Sequence, residues 1–272
     1  MFPKLFTFKT PSFLHGFLPE ELSIYSYGFF IALGALAGFL ILSSQRKKFR
    51  LTTDELSSLL IWIIVMSFVG GKVFFFFEDP EKYIQNPKPL YSGGGFVFYG
   101  SLLFSLSYLL FWVNRKKIAL RPFMDVIALM IPVVHMFGRI GCFFAGCCYG
   151  KVCSSSLGVV FTDPLSKARP LGTPLYPTQL YDVAINLVII LVLVVLRKRQ
   201  KFSGQLLAAY IALYAIGRFI NEQFRGDEAR GFIFDGWFSH SQAISIGLFG
   251  FAVFLYIKWK AKGMVPEPWR KS

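Results

Sequence analysis

Three stretches of the chain, residues 22–45, 89–114 and 241–257, contain no Asp, Glu, Lys, Arg or His, over 24, 26 and 17 residues. A membrane-crossing helix needs about 20 mainly apolar residues, with a range of roughly 17–25. Three more stretches carry one exception each: 56–77 contains only Lys72, 170–196 only Asp182, and 202–220 only Arg218. A seventh, 123–138, contains both Asp125 and His135, which count against it. The pattern predicts seven helices, at about 25–43, 56–77, 96–113, 123–138, 179–196, 204–220 and 241–257. The fold class that follows is an all-α integral membrane protein, with residues 1–272 as a single polytopic domain. No repeat, low-complexity tract or separate soluble domain interrupts it. Segment 139–178, rich in Gly, Pro, Ser and Cys, reads as a loop, and a loop of that length in a compact protein is often functional.

Composition agrees with this reading. Hydrophobic residues make up 54% of the chain and charged residues 16%, against roughly 25% charged in soluble domains. The hydrophobicity excludes a disordered chain. Lys and Arg number 29 against 15 acidic residues, a net charge of +14. That excess on an average core would suggest a nucleic-acid binder, but the core here is far from average, so nucleic acid is not expected as a partner. The distribution of charge is more informative. The alternate connections 44–55, 114–122, 197–203 and 258–272 hold 17 Lys/Arg in 43 residues, whereas 1–24, 78–95, 139–178 and 221–240 hold 10 in 102. The positive-inside bias puts the dense set in the cytoplasm, the N-terminus outside and the C-terminus inside. Residues 1–24 lack the marks of a cleavable signal, so the first helix is expected to direct insertion and remain in place.

With that orientation, the unusual residues fall on one side. Tyr25-Ser-Tyr27-Gly28, Gly93-Gly94-Gly95 with Tyr99-Gly100, Gly138-Arg139-Ile-Gly141, Tyr176 to Tyr181 with Gln179, Gly217-Arg218 to Glu222 with Arg225, and Ser239 to Gln242 all sit at the outer ends of helices. An aromatic belt and Gly-rich turns account for such residues in part. Intramembrane charge is costly and usually functional, which singles out Arg139 and Arg218. Each follows a Gly, which permits close approach of a ligand. A guanidinium binds phosphate through two parallel hydrogen bonds, so the pair suits an anionic lipid headgroup. The structural alternative is pairing with Asp182, Glu222 or a backbone carbonyl. Lys72 is expected to snorkel.

Cys142, Cys147, Cys148 and Cys153 follow Arg139 in a C-x4-C-C-x4-C pattern, which lacks the two C-x2-C pairs of a zinc ribbon. Disulfides, buried apolar thiols and a catalytic thiol remain open, and no metal is expected. His135 lies four residues before Arg139, on the same helical face, and is a candidate base beside a phosphate-binding group; a structural histidine is the alternative. His15 has no supporting motif.

Gly138-Arg-Ile-Gly-Cys-Phe-Phe-Ala-Gly-Cys-Cys-Tyr-Gly150 resembles the signature of the prolipoprotein diacylglyceryl transferase family. Gly94-Gly-Phe-Val-Phe-Tyr-Gly100, Tyr176-Pro-Thr-Gln-Leu-Tyr-Asp182, Arg218-Phe-Ile-Asn-Glu222 through Arg225, and Ser241-Gln-Ala-Ile-Ser245 resemble four further family motifs in the same order, and Tyr27-Gly28 matches an early Tyr-Gly. The resemblance spans roughly residues 20–260 and implies seven helices with the N-terminus outside. It implies transfer of the diacylglyceryl group of phosphatidylglycerol to the lipobox cysteine of prolipoprotein signal peptides, with loss of glycerol 1-phosphate. This is the first step of bacterial lipoprotein maturation, at the outward face of the cytoplasmic (inner) membrane, with no cofactor. It implies catalytic roles for Arg139 and Arg218 on phosphate and for Tyr99 or His135 on the proton. Tyr27, Gly94, Gly95, Gly138, Gln179, Tyr181, Glu222 and Arg225 would shape the headgroup pocket. Cys142, Ala145 and Cys147 stand where the family usually has two Asn and a Glu, and Tyr99 and Tyr176 replace histidines. The altered signature leaves room for a same-fold transferase with another acceptor. A seven-helix transporter or receptor would instead carry polar residues at the bilayer midplane.

Overall fold

The computed structural model describes residues 2–11, 20–91, 95–154, 156–226, 232–233 and 238–264. The helices in chain order are α1 (Ser26–Ser44), α2 (Thr53–Glu78), the short α3 (Pro80–Gln85) and α4 (Lys88–Tyr91), α5 (Phe98–Arg115), α6 (Leu120–Ala145), α7 (Thr178–Lys198), α8 (Gln205–Glu222) and α9 (His240–Lys262). Among the described residues three two-stranded antiparallel ribbons lie in the connections: β1 (Lys4–Lys9) with β2 (Glu21–Tyr25), β3 (Val159–Val160) with β4 (Pro174–Leu175), and β5 (Phe232–Ile233) with β6 (Phe238–Ser239). The protein is an all-α membrane protein. Among the described residues five helices, α1, α2, α6, α7 and α9, are long and apolar enough to cross a bilayer. The other two helices that the hydropathy pattern predicts, α5 and α8, have 18 residues each. They are more polar, through Ser101, Ser105, Ser107 and Asn114 in α5 and through Gln205, Arg218, Asn221 and Glu222 in α8.

The sequence-based boundaries hold to within three residues except at α6 and at the C-terminal end of α9, which runs to Lys262 rather than 257. The predicted loop 139–178 starts too early, because α6 continues to Ala145 and carries Arg139 and Cys142 on the helix. Gly138 and Gly141 look like terminators in sequence. In the structure Gly141 instead lets α1 approach, since a Cβ there would lie 3.2 Å from Tyr27 Cα. The helix ends at Gly146, which takes φ +71°. Cys147 N then donates to Cys142 O at 3.1 Å and Gly146 N to Phe143 O at 3.2 Å, satisfying the last carbonyls as left-handed glycine caps do. Pro132 lies inside α6 without ending it, as neighbouring helices in membrane proteins permit.

The chain forms two compact units, one of Met1–Ile41 with Met124–Met264 and one centred on Leu42–Phe123. In the first, Ala128 of α6, Ile189 and Leu193 of α7, and Leu206, Leu207 and Tyr210 of α8 form the buried core. Gly34 and Gly38 of α1 face Phe137, Val134 and Met130 of α6 with almost no clearance. Small residues four apart serve this purpose between membrane helices, where close van der Waals contact replaces hydrophobic driving force. In the second unit, α2 begins with a capping box between Thr52 and Glu55, and Glu55 pairs with Lys116 at 2.6 Å. Gly70 of α2 and Gly100 of α5 sit against each other's carbonyl oxygens, with no room for a Cβ on either. Lys72 Nζ bonds to Pro89 O at 3.0 Å, so its charge ends on backbone.

Asp125, a mark against the seventh predicted helix, has a clear task. Its carboxylate is 4% exposed and accepts from Gly204 N (2.6 Å), Leu206 N (2.9 Å), Leu207 N (3.0 Å) and Gln200 Nε2 (2.6 Å). Gly204 has no side chain to cap α8. Asp125 therefore supplies from another helix the anion that the N-terminal amides and the helix dipole favour. Asp125→Ala is expected to lower stability by about 3 kcal/mol, the scale for charge-assisted bonds lost from buried donors. Asp125→Asn, which keeps one acceptor, should cost less. Thermal unfolding of the detergent-solubilised protein measures both.

Candidate active site

The polar residues of the first unit gather where the C-terminal ends of α6 and α8 meet the N-terminal ends of α7 and α9. His135 and Arg139 are one helical turn apart on α6. Arg139 Nε donates to His135 Nε2 at 3.0 Å and pairs with Asp182 Oδ2 of α7 at 3.0 Å. The histidine nitrogen facing the guanidinium is therefore the acceptor, with its lone pair engaged by Arg139. Asp182 Oδ1 accepts from Asn221 Nδ2 of α8 at 2.7 Å, and the same amide donates to Thr178 O at 3.1 Å. Asn186 Nδ2 donates to Asp182 O at 2.7 Å. One carboxylate thus joins three helices.

Arg218 of α8 forms a second group. Its Nη2 lies 2.6 Å from Glu222 Oε2, one turn later, and donates to Ser241 Oγ at 3.1 Å. Ser239 Oγ donates to the other Glu222 oxygen at 3.1 Å and accepts from Gln242 N at 3.2 Å. Gln242 Oε1 in turn accepts from Ser239 N at 3.0 Å, completing the capping box of α9. His135 lies within electrostatic reach of Arg139, Asp182 and Arg218, which links the two groups.

Both arginines have protein partners, the structural alternative that the sequence left open. The pairing is incomplete. Arg225 is 5% exposed and within electrostatic reach of Arg139. Among the described residues, Arg218 Nη1 and the side-chain oxygens of Gln179 and Asn221 are buried without a hydrogen-bond partner. Buried polar groups are normally satisfied, so exceptions concentrated in one place ask for a polar ligand. A Cβ on Gly138 would meet no protein atom, leaving this face of α6 open to approach.

Beyond Gly146 the chain folds back onto α6. Gln179 Nε2 donates to Cys147 O and Thr178 Oγ1 to Cys148 O, both at 2.7 Å. Gly150 N donates to Tyr176 O at 2.8 Å and Lys151 N to Phe224 O at 2.9 Å. The sulfurs of Cys142, Cys147 and Cys148 lie within 4.8 Å of one another, and all four cysteines are free thiols. Tyr27, half-exposed on α1, is within electrostatic reach of the three thiols and of Arg139. Hydrogen bonds from Cys142 and Cys147, then the Arg139 and Arg225 charges, hold the Cys148 thiol well below the usual thiol range. Cys153 is buried apart from the trio, near Tyr176.

The structure thus brings together Tyr27, His135, Gly138, Arg139, Gln179, Arg218, Glu222 and Arg225. Tyr181 packs with Tyr176 on Phe224, at ring distances of 5.3 and 5.5 Å. Tyr99 belongs to the second unit, exposed on α5 beside Phe98. Gly95, also in that unit, takes φ +67° and lies against the Phe75 ring, which accounts for a glycine there. Gly94 and His15 lie outside the described residues. Sequence reasoning passed over Asn186 and Asn221. Their signal was an amide in an otherwise apolar stretch, four residues after Asp182 and three after Arg218 respectively.

Asp182→Ala is expected to cost about 3–5 kcal/mol, because it leaves a buried guanidinium uncompensated. Asp182→Asn should be milder, retaining an acceptor for Asn221. Unfolding midpoints of the two variants check the order.

The family model for prolipoprotein diacylglyceryl transferase matches residues 17–258 of the chain. A phosphatidylglycerol–prolipoprotein diacylglyceryl transferase of Clostridium tetani is 33% identical over 236 residues, 86% of this chain and 93% of that protein. Transferase 2 of Clostridium perfringens is 32% identical over 244 residues, 89% and 93% of the two chains. The Geobacter sulfurreducens transferase is 28% identical over 229 residues, 82% and 86%.

Proposed function

The chain belongs to the prolipoprotein diacylglyceryl transferase family, and we propose that it transfers the diacylglyceryl group of phosphatidylglycerol to the lipobox cysteine of prolipoproteins. The topology we propose is seven spans, with α5 and α8 completing the five apolar helices and the N-terminus outside. The 17 basic residues in the short alternate connections support it. It turns the polar cluster toward the outer leaflet of a bacterial cytoplasmic membrane, where secreted precursors and phospholipid meet.

One observation carries the reading: the guanidinium groups of Arg139 and Arg218 gather around His135, and Arg218 Nη1 is buried without a hydrogen-bond partner among the described residues. A phosphodiester supplies acceptor oxygens for that donor. A guanidinium has five donors, so Arg139 and Arg218 can keep their carboxylates and still bind phosphate. In the reaction the acceptor sulfur bonds to the terminal glyceryl carbon of the diacylglyceryl group. The carbon–oxygen bond to phosphate breaks, glycerol 1-phosphate leaves with the electron pair, and the thiol proton is released. Charge builds on the departing phosphate, where preorganised donors lower the barrier. An ordinary thiol has a pKa of about 8.5, so deprotonation needs help, and we assign it to His135 or Tyr99. Gln179, Glu222 and Arg225 hold the headgroup, with Tyr27, Gly138 and Tyr181 bordering it; Gly94 and Gly95 keep the contribution that the resemblance implies.

The test supplies phosphatidylglycerol and a lipobox peptide to the purified protein. A mass gain of one diacylglyceryl group on the peptide cysteine supports the proposal, and an unmodified peptide under conditions that keep the protein folded overturns it. Arg139→Ala is expected to lower transfer by about 10²–10³-fold, the scale for one preorganised donor, with the protein still in the membrane. His135→Gln should slow transfer at neutral pH; a full rate would remove it as the base.

A further inference from the structure

We propose that Cys142, Cys147 and Cys148 form a thiolate site for zinc(II), with an open fourth position that receives the acceptor thiol. The second half rests on the transferase reading; the first does not. Spacing along the chain argued against a zinc ribbon, but the left-handed turn at Gly146 brings three sulfurs within 4.8 Å of one another. Bonds of about 2.3 Å to a tetrahedral zinc place sulfurs about 3.8 Å apart, so small side-chain rotations close the site. A disulfide would use two of the three sulfurs and leave the third unexplained.

The backbone that carries the ligands is fixed before any ion arrives. Cys142 is on α6, and the carbonyls of Cys147 and Cys148 are held by Gln179 and Thr178 at the start of α7. Such second-layer contacts orient ligands in metal sites. Charge also fits. Three thiolates on zinc(II) leave one net negative charge, and Arg139 and Arg225 are within electrostatic reach of Cys148, as Lys167 is of Cys147. Thiolate donors select soft or borderline ions, and three protein ligands with an open position mark catalytic rather than structural zinc.

The open position suits the proposed reaction. A thiol that coordinates zinc loses its proton outright, so the acceptor would arrive as a metal-bound thiolate near the arginines that hold the phosphate. Its proton passes to solvent or to His135. Its sulfur then bonds to the glyceryl carbon as the carbon–oxygen bond to phosphate breaks, and the thioether product, a weaker ligand, leaves zinc. No oxidant or reductant is needed.

The test uses the full chain in detergent. After loading with zinc(II) and dialysis, the native protein and Cys153→Ser are expected to retain about one zinc per chain, and Cys142→Ser and Cys148→Ser about a tenth or less. Zinc should also shield three of the four native thiols from alkylation, a readout that needs no variant. Zinc loading that is substoichiometric in the native protein, or equal in native and variant proteins, overturns the site, as does a native mass two hydrogens lighter from a disulfide. Cobalt(II) in place of zinc should give a thiolate-to-cobalt absorption band that shifts with a lipobox peptide and not with its Cys-to-Ser counterpart. An unshifted band, or full transfer by the metal-free protein, overturns the acceptor role and leaves the site. Metal binding and a band shift without lipid transfer would count against phosphatidylglycerol as donor while supporting the zinc site.

Discussion

Asp182 holds the polar end of the first unit together. A bare carboxylate among apolar helices would be prohibitively costly, and so would a bare guanidinium. Placed between Arg139 and Asn221, Asp182 makes both tolerable and fixes α6, α7 and α8 in one relative register at the level where the other polar groups gather. The pair also constrains how a ligand is received. Each arginine has already given one edge to a carboxylate, so an incoming anion meets a guanidinium whose plane is set. Preorganisation of this kind lowers the cost of ordering on binding.

The same physics governs the opposite end of these helices, where Asp125 caps α8. In both places a buried acid is tolerated because backbone or side-chain donors converge on it. Elsewhere the helices meet through glycine: Gly34 and Gly38 for α1 against α6, and Gly70 with Gly100 for α2 against α5. Polar contacts thus position the two ends of the first unit, while bare backbone sets the spacing of the apolar middle.

Much of this was legible in the chain. Lipid demands long apolar stretches, so the helices could be read from the absence of charge, and the few charges inside them marked Arg139, Arg218 and Asp182. Partners distant in sequence were not legible. Asp125 counted against its helix because its donors lie some 80 residues later. Gly138 and Gly141 looked like the end of α6, although in lipid a glycine more often marks a close helix crossing than a break. Two apolar-looking stretches, α5 and α8, proved more polar than a spanning helix usually is. The cysteine trio was hidden because linear spacing does not register a reversal of chain direction. Tyr99 and Gly95, read from their motif alone, lie in the other unit, where the contacts of Gly95 are accounted for by its turn and by Phe75.

The hydroxyl of Ser239 serves two partners, the first-turn amide of α9 and the carboxylate that steadies Arg218. Those two tasks cannot vary independently. A headgroup that draws Arg218 away from Glu222 alters the oxygen that pins the beginning of α9, and fraying of α9 loosens the arginine. Occupancy of the proposed anion site should therefore be written into the amide hydrogen-exchange rates of Gln242 and its neighbours, more than 20 residues along the chain from the charge that changed.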